Sequence, residues 1–214
     1  MCRRLSLAAL LLLSLTVPSV CMAQAATASA TSKPSKKVYV AFSMAKWKAQ
    51  HIHDEVAAKK HIDTLKTLGC EVKTAQHNGH IDVSTRTVSW KTLALDSPEQ
   101  ARQWTKWLQK VGFETLHGRK AGEQKRDSGA KHEVVLYRLN NWRSFHIHDK
   151  KKESDLVCRL RGLGCEVQIV SHGNHNDVKA RCPEWMEIEF GSHQVAHSWQ
   201  EVLGELGFET KHSH

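Results

Sequence analysis

The chain is written twice, and that duplication constrains it more than any other feature. Sliding the sequence against itself by 95 positions aligns residues 38–119 with residues 133–214 without a gap, and 27 of the 82 pairs are identical. Identity of one third over an ungapped span means that one compact unit has to fold twice, so the unit to explain is about 80 residues long. Leu68-Gly69-Cys70-Glu71-Val72 returns as Leu163-Gly164-Cys165-Glu166-Val167, and Gly112-Phe113-Glu114-Thr115 as Gly207-Phe208-Glu209-Thr210.

Periodicity within a copy sets the order of elements. Residues 38–44 read as a short strand, then a loop holding Trp47. A helix follows from about Asp54 to Leu68, with Ala58, Ile62, Leu65 and Leu68 on one face and Gly69 as its stop. Copy two repeats this face with Leu156, Leu160 and Leu163. Residues 71–76 and 82–95 read as strands joined by His77-Asn78-Gly79-His80, because Asn-Gly suits a two-residue hairpin in which both central residues need positive φ. Copy two has Gly173-Asn174 there. Ser97 as N-cap and Pro98 in the first turn open a second helix with Ala101, Trp104, Leu108 and Val111 on one face, and residues 113–116 close the unit as a strand. The expectation is an α+β protein of two tandem ferredoxin-like (βαββαβ) repeats, residues 38–118 and 133–214, joined by a linker over 119–132. Each repeat is a four-stranded antiparallel sheet in the order 4-1-3-2 with two helices on one face.

Ahead of the repeats, Arg3 and Arg4 precede an apolar stretch over residues 5–17 and an Ala23-Gln24-Ala25 cleavage pattern, which reads as a signal peptide over 1–25 followed by a flexible leader over 26–37. The implied localisation is secreted or periplasmic. Apart from this segment, no apolar run is long enough to span a bilayer as a helix. The formal charge is +9, and loss of the two arginines leaves 9 − 2 = +7, so the basic excess survives processing. It suits anionic envelope surfaces, whereas export argues against nucleic acid. The chain has no nucleotide-binding glycine loop, nucleophile elbow, His-Glu-x-x-His helix or paired Cys-x-x-Cys ligands.

The 15 histidines are the unusual part of the composition. His51-Ile52-His53-Asp54 recurs as His146-Ile147-His148-Asp149, while His77 and His80 recur as His172 and His175. The expected topology brings both clusters to one sheet edge, and residues flanking a two-residue turn face each other with Cβ atoms about 4.5–5.5 Å apart. Imidazole nitrogens bind Zn, Cu or Ni at about 2 Å. The candidate metal ligands are therefore His51, His53, His77, His80 and Asp54 in copy one, and His146, His148, His172, His175 and Asp149 in copy two. Each Asp is equally well placed to cap the helix that follows it. His117 and His212 end the closing strands at the other sheet edge and are expected to belong to no such site.

Trp90 and Trp185 have the strand parity opposite to the apolar face. They are read as an interface where the two sheets pack against each other, or as a ligand-stacking surface. Cys158 and Cys182 occur only in copy two, which suggests a disulfide between them. In element order each repeat resembles the secreted cell-wall-binding domains called SPOR, and that resemblance implies an envelope polymer as partner. Fused ferredoxin-like pairs also resemble the dimeric α+β-barrel families, which implies an enzyme with a small ligand between the sheets. The residues themselves favour binding over catalysis, with no catalytic set. The leading reading is an exported monomer with pseudo-dimeric halves that binds a transition metal through one histidine-rich site per repeat.

Overall fold

The computed structural model describes residues 37–123, 133–173 and 175–213. The expected signal peptide, most of the expected leader and residues 124–132 of the expected linker lie outside the described residues. Among the described residues the chain is α+β, with four helices and antiparallel sheets. No helix there is long and apolar enough to cross a membrane.

Copy one comprises β1 (Val38–Ser43), β2 (Lys48–Ile52), α1 (Glu55–Thr67), β3 (Glu71–His77), β4 (His80–Arg86), β5 (Lys91–Leu95), α2 (Pro98–Val111) and β6 (Glu114–Leu116). Copy two comprises β8 (Glu133–Ile147), α3 (Lys150–Gly162), β9 (Glu166–His172), β10 (His175–Phe190), α4 (His193–Glu205) and β11 (Glu209–Ser213). The long strands β8 and β10 of copy two thus each span what two strands span in copy one, β1 with β2 and β4 with β5. In copy one the sheet divides into β5-β1-β6 and β2-β4-β3; in copy two the order is β11-β8-β10, with β9 also on β10. The loop expected around Trp47 contains strand β2, which pairs with β4. The break in copy one is stitched by the Thr87 amide donating to the Met44 carbonyl (2.8 Å) and the Met44 amide donating to Thr87 Oγ1 (2.7 Å). Copy two passes the same place with register shifts around Cys182, beside Pro183, which has no amide hydrogen to give the ladder. Part of the expected linker is ordered as β7 (Arg119–Lys120), which extends the copy-two sheet along β10.

How the halves meet departs from the sequence reading. Alternation along β1 sends Val40 and Phe42 into a core with Leu65, Val83, Leu108 and Phe113, while Ala41 joins the core of copy two with Leu116. Helix α3 lies on β1 and β5, so the contact is helix on sheet. The expected sheet-to-sheet interface and the pseudo-dimeric halves are both corrected by this, because a pseudo-dimer would present the same face from each half. Close approach is the cause. Gly162 at the end of α3 has no side chain, and a Cβ there would stand 2.5 Å from the Ala41 Cβ. Trp90 lies in the irregular segment between β4 and β5, where its amide donates to Asp155 Oδ1 (2.8 Å) and its ring meets Trp199 edge-on at 6.3 Å. Trp185 stays in copy two, under the Arg138 guanidinium at 4.7 Å and Lys211 Nζ at 4.5 Å. The two indoles do not form one surface.

The expected Cys158–Cys182 disulfide is also corrected: no disulfide joins any of Cys70, Cys158, Cys165 and Cys182. Cys158 lies two residues, about 200° of helix, from both Leu156 and Leu160, so it turns away from the core those leucines enter and its thiol meets Thr92 instead. Cys182 is buried beside Cys165, whose thiol pKa is pushed well up by their mutual hydrogen bond and by burial. Cys158→Ser is therefore expected to change unfolding free energy by less than about 1 kcal/mol, whereas loss of a native disulfide costs about 2–5 kcal/mol. Urea denaturation without reductant separates the two outcomes.

Candidate metal centre

The site in each copy is built by a hairpin and the strand beside it. Asn78 (φ 44°) and Gly79 (φ 79°) form the turn, which sets His77 opposite His80. On the other flank β2 sets His51 opposite Asp82. Alternation then sorts the two faces: Ile81 and Val83 go to the core beneath α1, and His80 and Asp82 to the face without helices. Copy two repeats the pairing with His172 opposite His175 and His146 opposite Asp177.

Asp82 is the floor of the first cluster. Its side chain is 18% exposed against 66% for His51 and 53% for His77. Its carboxylate meets His51 Nδ1, His77 Nε2 (2.8 Å) and His80 Nε2 (3.4 Å). The His53 ring centroid lies 5.7 Å from that of His80. In the second cluster Asp177 meets His146 Nδ1 at 2.7 Å and His172 Nε2 at 3.3 Å. Ring centroids there lie closer together, at 4.2 Å for His146–His175, 4.8 Å for His146–His148 and 4.9 Å for His148–His175. Ligand atoms of His51, His80 and Asp82, and those of His146, His148 and His175, lie within 4.8 Å of one another. A tetrahedral Zn with bonds of about 2.0 Å needs ligands about 3.3 Å apart, so side-chain rotation without backbone movement closes the gap.

The electrostatics agree with this geometry. Partial desolvation pulls Asp82 upward, but hydrogen bonds from His51 and His77 outweigh it and leave its pKa below the usual value. For Asp177 the hydrogen bond from His146 leads and the result is again lowered. Desolvation, reinforced by the neighbouring imidazoles, lowers the pKa of His175 and so favours its neutral, ligating form. With Nδ1 donating to a carboxylate, His51 and His146 keep Nε2 for a ligand, the arrangement by which outer-shell carboxylates orient metal-binding imidazoles.

The expected roles of Asp54 and Asp149 are corrected. Asp54 Oδ1 accepts from the Ala57 amide (2.6 Å), and Asp149 Oδ1 from the Lys151 and Lys152 amides (2.8 and 2.9 Å). Both carboxylates are thereby committed to helix caps. Asp82 and Asp177 take the place beside the imidazoles. Their signal was present in the sequence as an identical pair 95 apart, two residues past His80 and His175 on the same strand face. His77 and His172 sit at the rim of the clusters. His117 is half-buried and its Nδ1 donates to the Tyr39 carbonyl (3.3 Å). His212, expected to belong to no cluster, meets His193 and His197. Trp47 and Trp142 are equivalent residues stacked under Arg86 (4.8 Å) and Arg181 (4.8 Å), which pair with Glu71 and Glu166 at the strand ends away from the hairpin turns. A cleft of about 800 Å³ lies elsewhere, between the halves, lined by Tyr39, His117, Arg119, Arg161 and Cys182. Its depth does not compete with the histidine sites, because a metal ion needs converging donors rather than volume.

No protein-family model and no curated protein matches the chain. Among solved structures the chain is similar to an unknown protein from Galdieria sulphuraria, 13% identical, covering 83% of this chain and 98% of that one with a TM-score of 0.19. A likeness at that level carries no argument about fold or function.

Proposed function

We propose that this is an exported, non-catalytic protein of two tandem ferredoxin-like repeats that binds a transition metal, Zn, Cu or Ni, through one histidine-rich site per repeat. The strand order supports the repeat assignment: β11-β8-β10-β9 in copy two is 4-1-3-2 in units of one copy, and β6-β1-β5 with β2-β4-β3 is the same order divided at a break. The N-terminal Arg pair, apolar stretch and Ala-Gln-Ala pattern support export. One observation carries the metal reading. Two histidine clusters 95 residues apart are each assembled by the same strand pairing around an equivalent half-buried carboxylate, Asp82 or Asp177.

Equilibrium dialysis of the chain from residue 26 onward against Zn²⁺, Cu²⁺ and Ni²⁺ tests it. Replacing His51, His80, His146 and His175 together by Ala is expected to remove two equivalents of bound metal. The reading fails if the fourfold variant binds as much as the parent. Asp177→Asn is expected to weaken the copy-two site about 10- to 100-fold while leaving thermal stability without metal nearly unchanged, since it keeps shape but loses the charge that orients His146.

A further inference from the structure

We propose that copy two carries an additional metal site, separate from the twin clusters, formed by His193 and His197 of α4, His212 of β11 and Glu133 of β8, for a divalent transition cation such as Zn²⁺. Three elements converge to make it. His193 and His197 are one helical turn apart and so share a face. Their Nε2 atoms are 3.0 Å apart and their rings 4.4 Å. His212 comes in from the neighbouring strand, with ring centroids 5.1 Å from His193 and 5.0 Å from His197. Glu133 supplies a carboxylate, its Oε2 lying 3.0 Å from His212 Nε2 and 3.4 Å from His193 Nδ1.

The ligand atoms of the three histidines lie within 4.8 Å of one another, and the shortest separation already approaches the roughly 3.3 Å edge of a Zn tetrahedron. Three converging imidazoles make a ligand set for a borderline cation, and the Glu133 carboxylate, held against two of the rings, adds the negative charge beside them. One ligand is rooted: the His212 side chain is 8% exposed, while His193, at 52%, faces solvent and leaves an entry path. Glu133 opens β8 and His146 lies near its end, up to about 40 Å away along an extended strand, so no single ion serves both clusters.

Duplication does not explain this cluster. The positions 95 residues earlier hold Pro98, Arg102, His117 and Val38, so only one of the four residue types is shared. The site is a property of copy two alone. It also stands apart from the twin-site reading, and the two can fail separately.

The test is Zn²⁺ equilibrium dialysis of the chain from residue 26 onward. Replacing His193 and His197 by Ala is expected to remove one equivalent of Zn²⁺ from the parent. On the fourfold variant lacking His51, His80, His146 and His175, the same double replacement is expected to remove the one equivalent that remains. Equal Zn²⁺ content with and without the double replacement overturns the site, whatever the fourfold variant does. Should the double replacement unravel α4, His197→Gln at its exposed position carries the test: a loss of about tenfold or more in affinity for that equivalent supports the site, and no change overturns it.

Discussion

Replacing Gly118 by alanine is expected to lower the stability of the described fold by about 3 kcal/mol, a large share of what a protein of this size has to lose. A Cβ at this position would stand 2.0 Å from the Tyr137 hydroxyl and 2.5 Å from the Leu163 carbonyl oxygen. Neither neighbour yields easily. Tyr137 is fully buried and donates to that same Leu163 oxygen at 2.8 Å, so displacing the ring breaks a buried hydrogen bond as well as the packing. Gly162→Ala is expected to cost less, about 1–2 kcal/mol: its Cβ meets the Ala41 Cβ at 2.5 Å and the Leu116 oxygen at 3.0 Å, but alanine in a helix returns up to about 1 kcal/mol. Gly204, within α4 with nothing within 4 Å of its added Cβ, is the control, and Gly204→Ala is expected to stabilise by up to about 1 kcal/mol. Thermal unfolding reads all three. The Gly118 variant is expected to melt roughly 6–12 °C below the parent, the Gly162 variant a few degrees below it, and the Gly204 variant slightly above it. A Gly118 variant as stable as the parent would mean that the halves do not meet with Gly118 against Tyr137 and Leu163.

The same contact explains where the sequence was legible and where it was not. Helix positions, their Asp54, Ser97 and Asp149 caps and the Asn78-Gly79 turn depend on residues within a few positions, and each lies where local physics puts it. The meeting of the halves depends on which small residues oppose each other across 121 positions, Ala41 and Gly162, and no periodicity reports that. Parity counted along residues 82–95 puts Trp90 on a sheet face, but the strand breaks between Arg86 and Lys91. One irregular segment cancels every parity inference beyond it. The histidine sites fall between these cases. Repetition marks His51, His77 and His80, and the hairpin sets two of them face to face. Asp82 carries the same mark, whereas Asp54 is adjacent to His53 in sequence but is accounted for by its helix cap. The His193 cluster had no repeat partner to mark it. Its one sequence signal was the spacing of four between His193 and His197, which the assigned second helix places on one face.

His175→Ala and His80→Ala are expected to affect metal binding unequally, although they are the same substitution at equivalent positions. In copy two His175 stands between two imidazoles, with centroids 4.2 and 4.9 Å away, and Asp177 lies behind His146 as an orienting base. The converging ligand set there is three histidines. In copy one the corresponding rings are 5.3 and 5.7 Å from His80, and the converging set is two histidines with Asp82 as the third ligand. Asp82 is already engaged by His51 and His77, so ligation by its oxygens competes with those hydrogen bonds. Copy two therefore needs less rearrangement before it can close on an ion, and preorganisation of this kind appears directly in affinity. The parent is expected to fill the copy-two twin site before the copy-one site in a Zn²⁺ titration. His175→Ala, which leaves two imidazoles, is expected to weaken the tighter step by more than about 100-fold, beyond what loss of an outer-shell partner does. His80→Ala is expected to leave that step intact and abolish the weaker one. Competition against a chelating dye, read with Co²⁺ absorption to report coordination number, follows each step separately. If His80→Ala removes the tighter step instead, the closer packing of imidazoles in copy two does not set affinity, and the copy-one set with its Asp82 carboxylate is the tighter site.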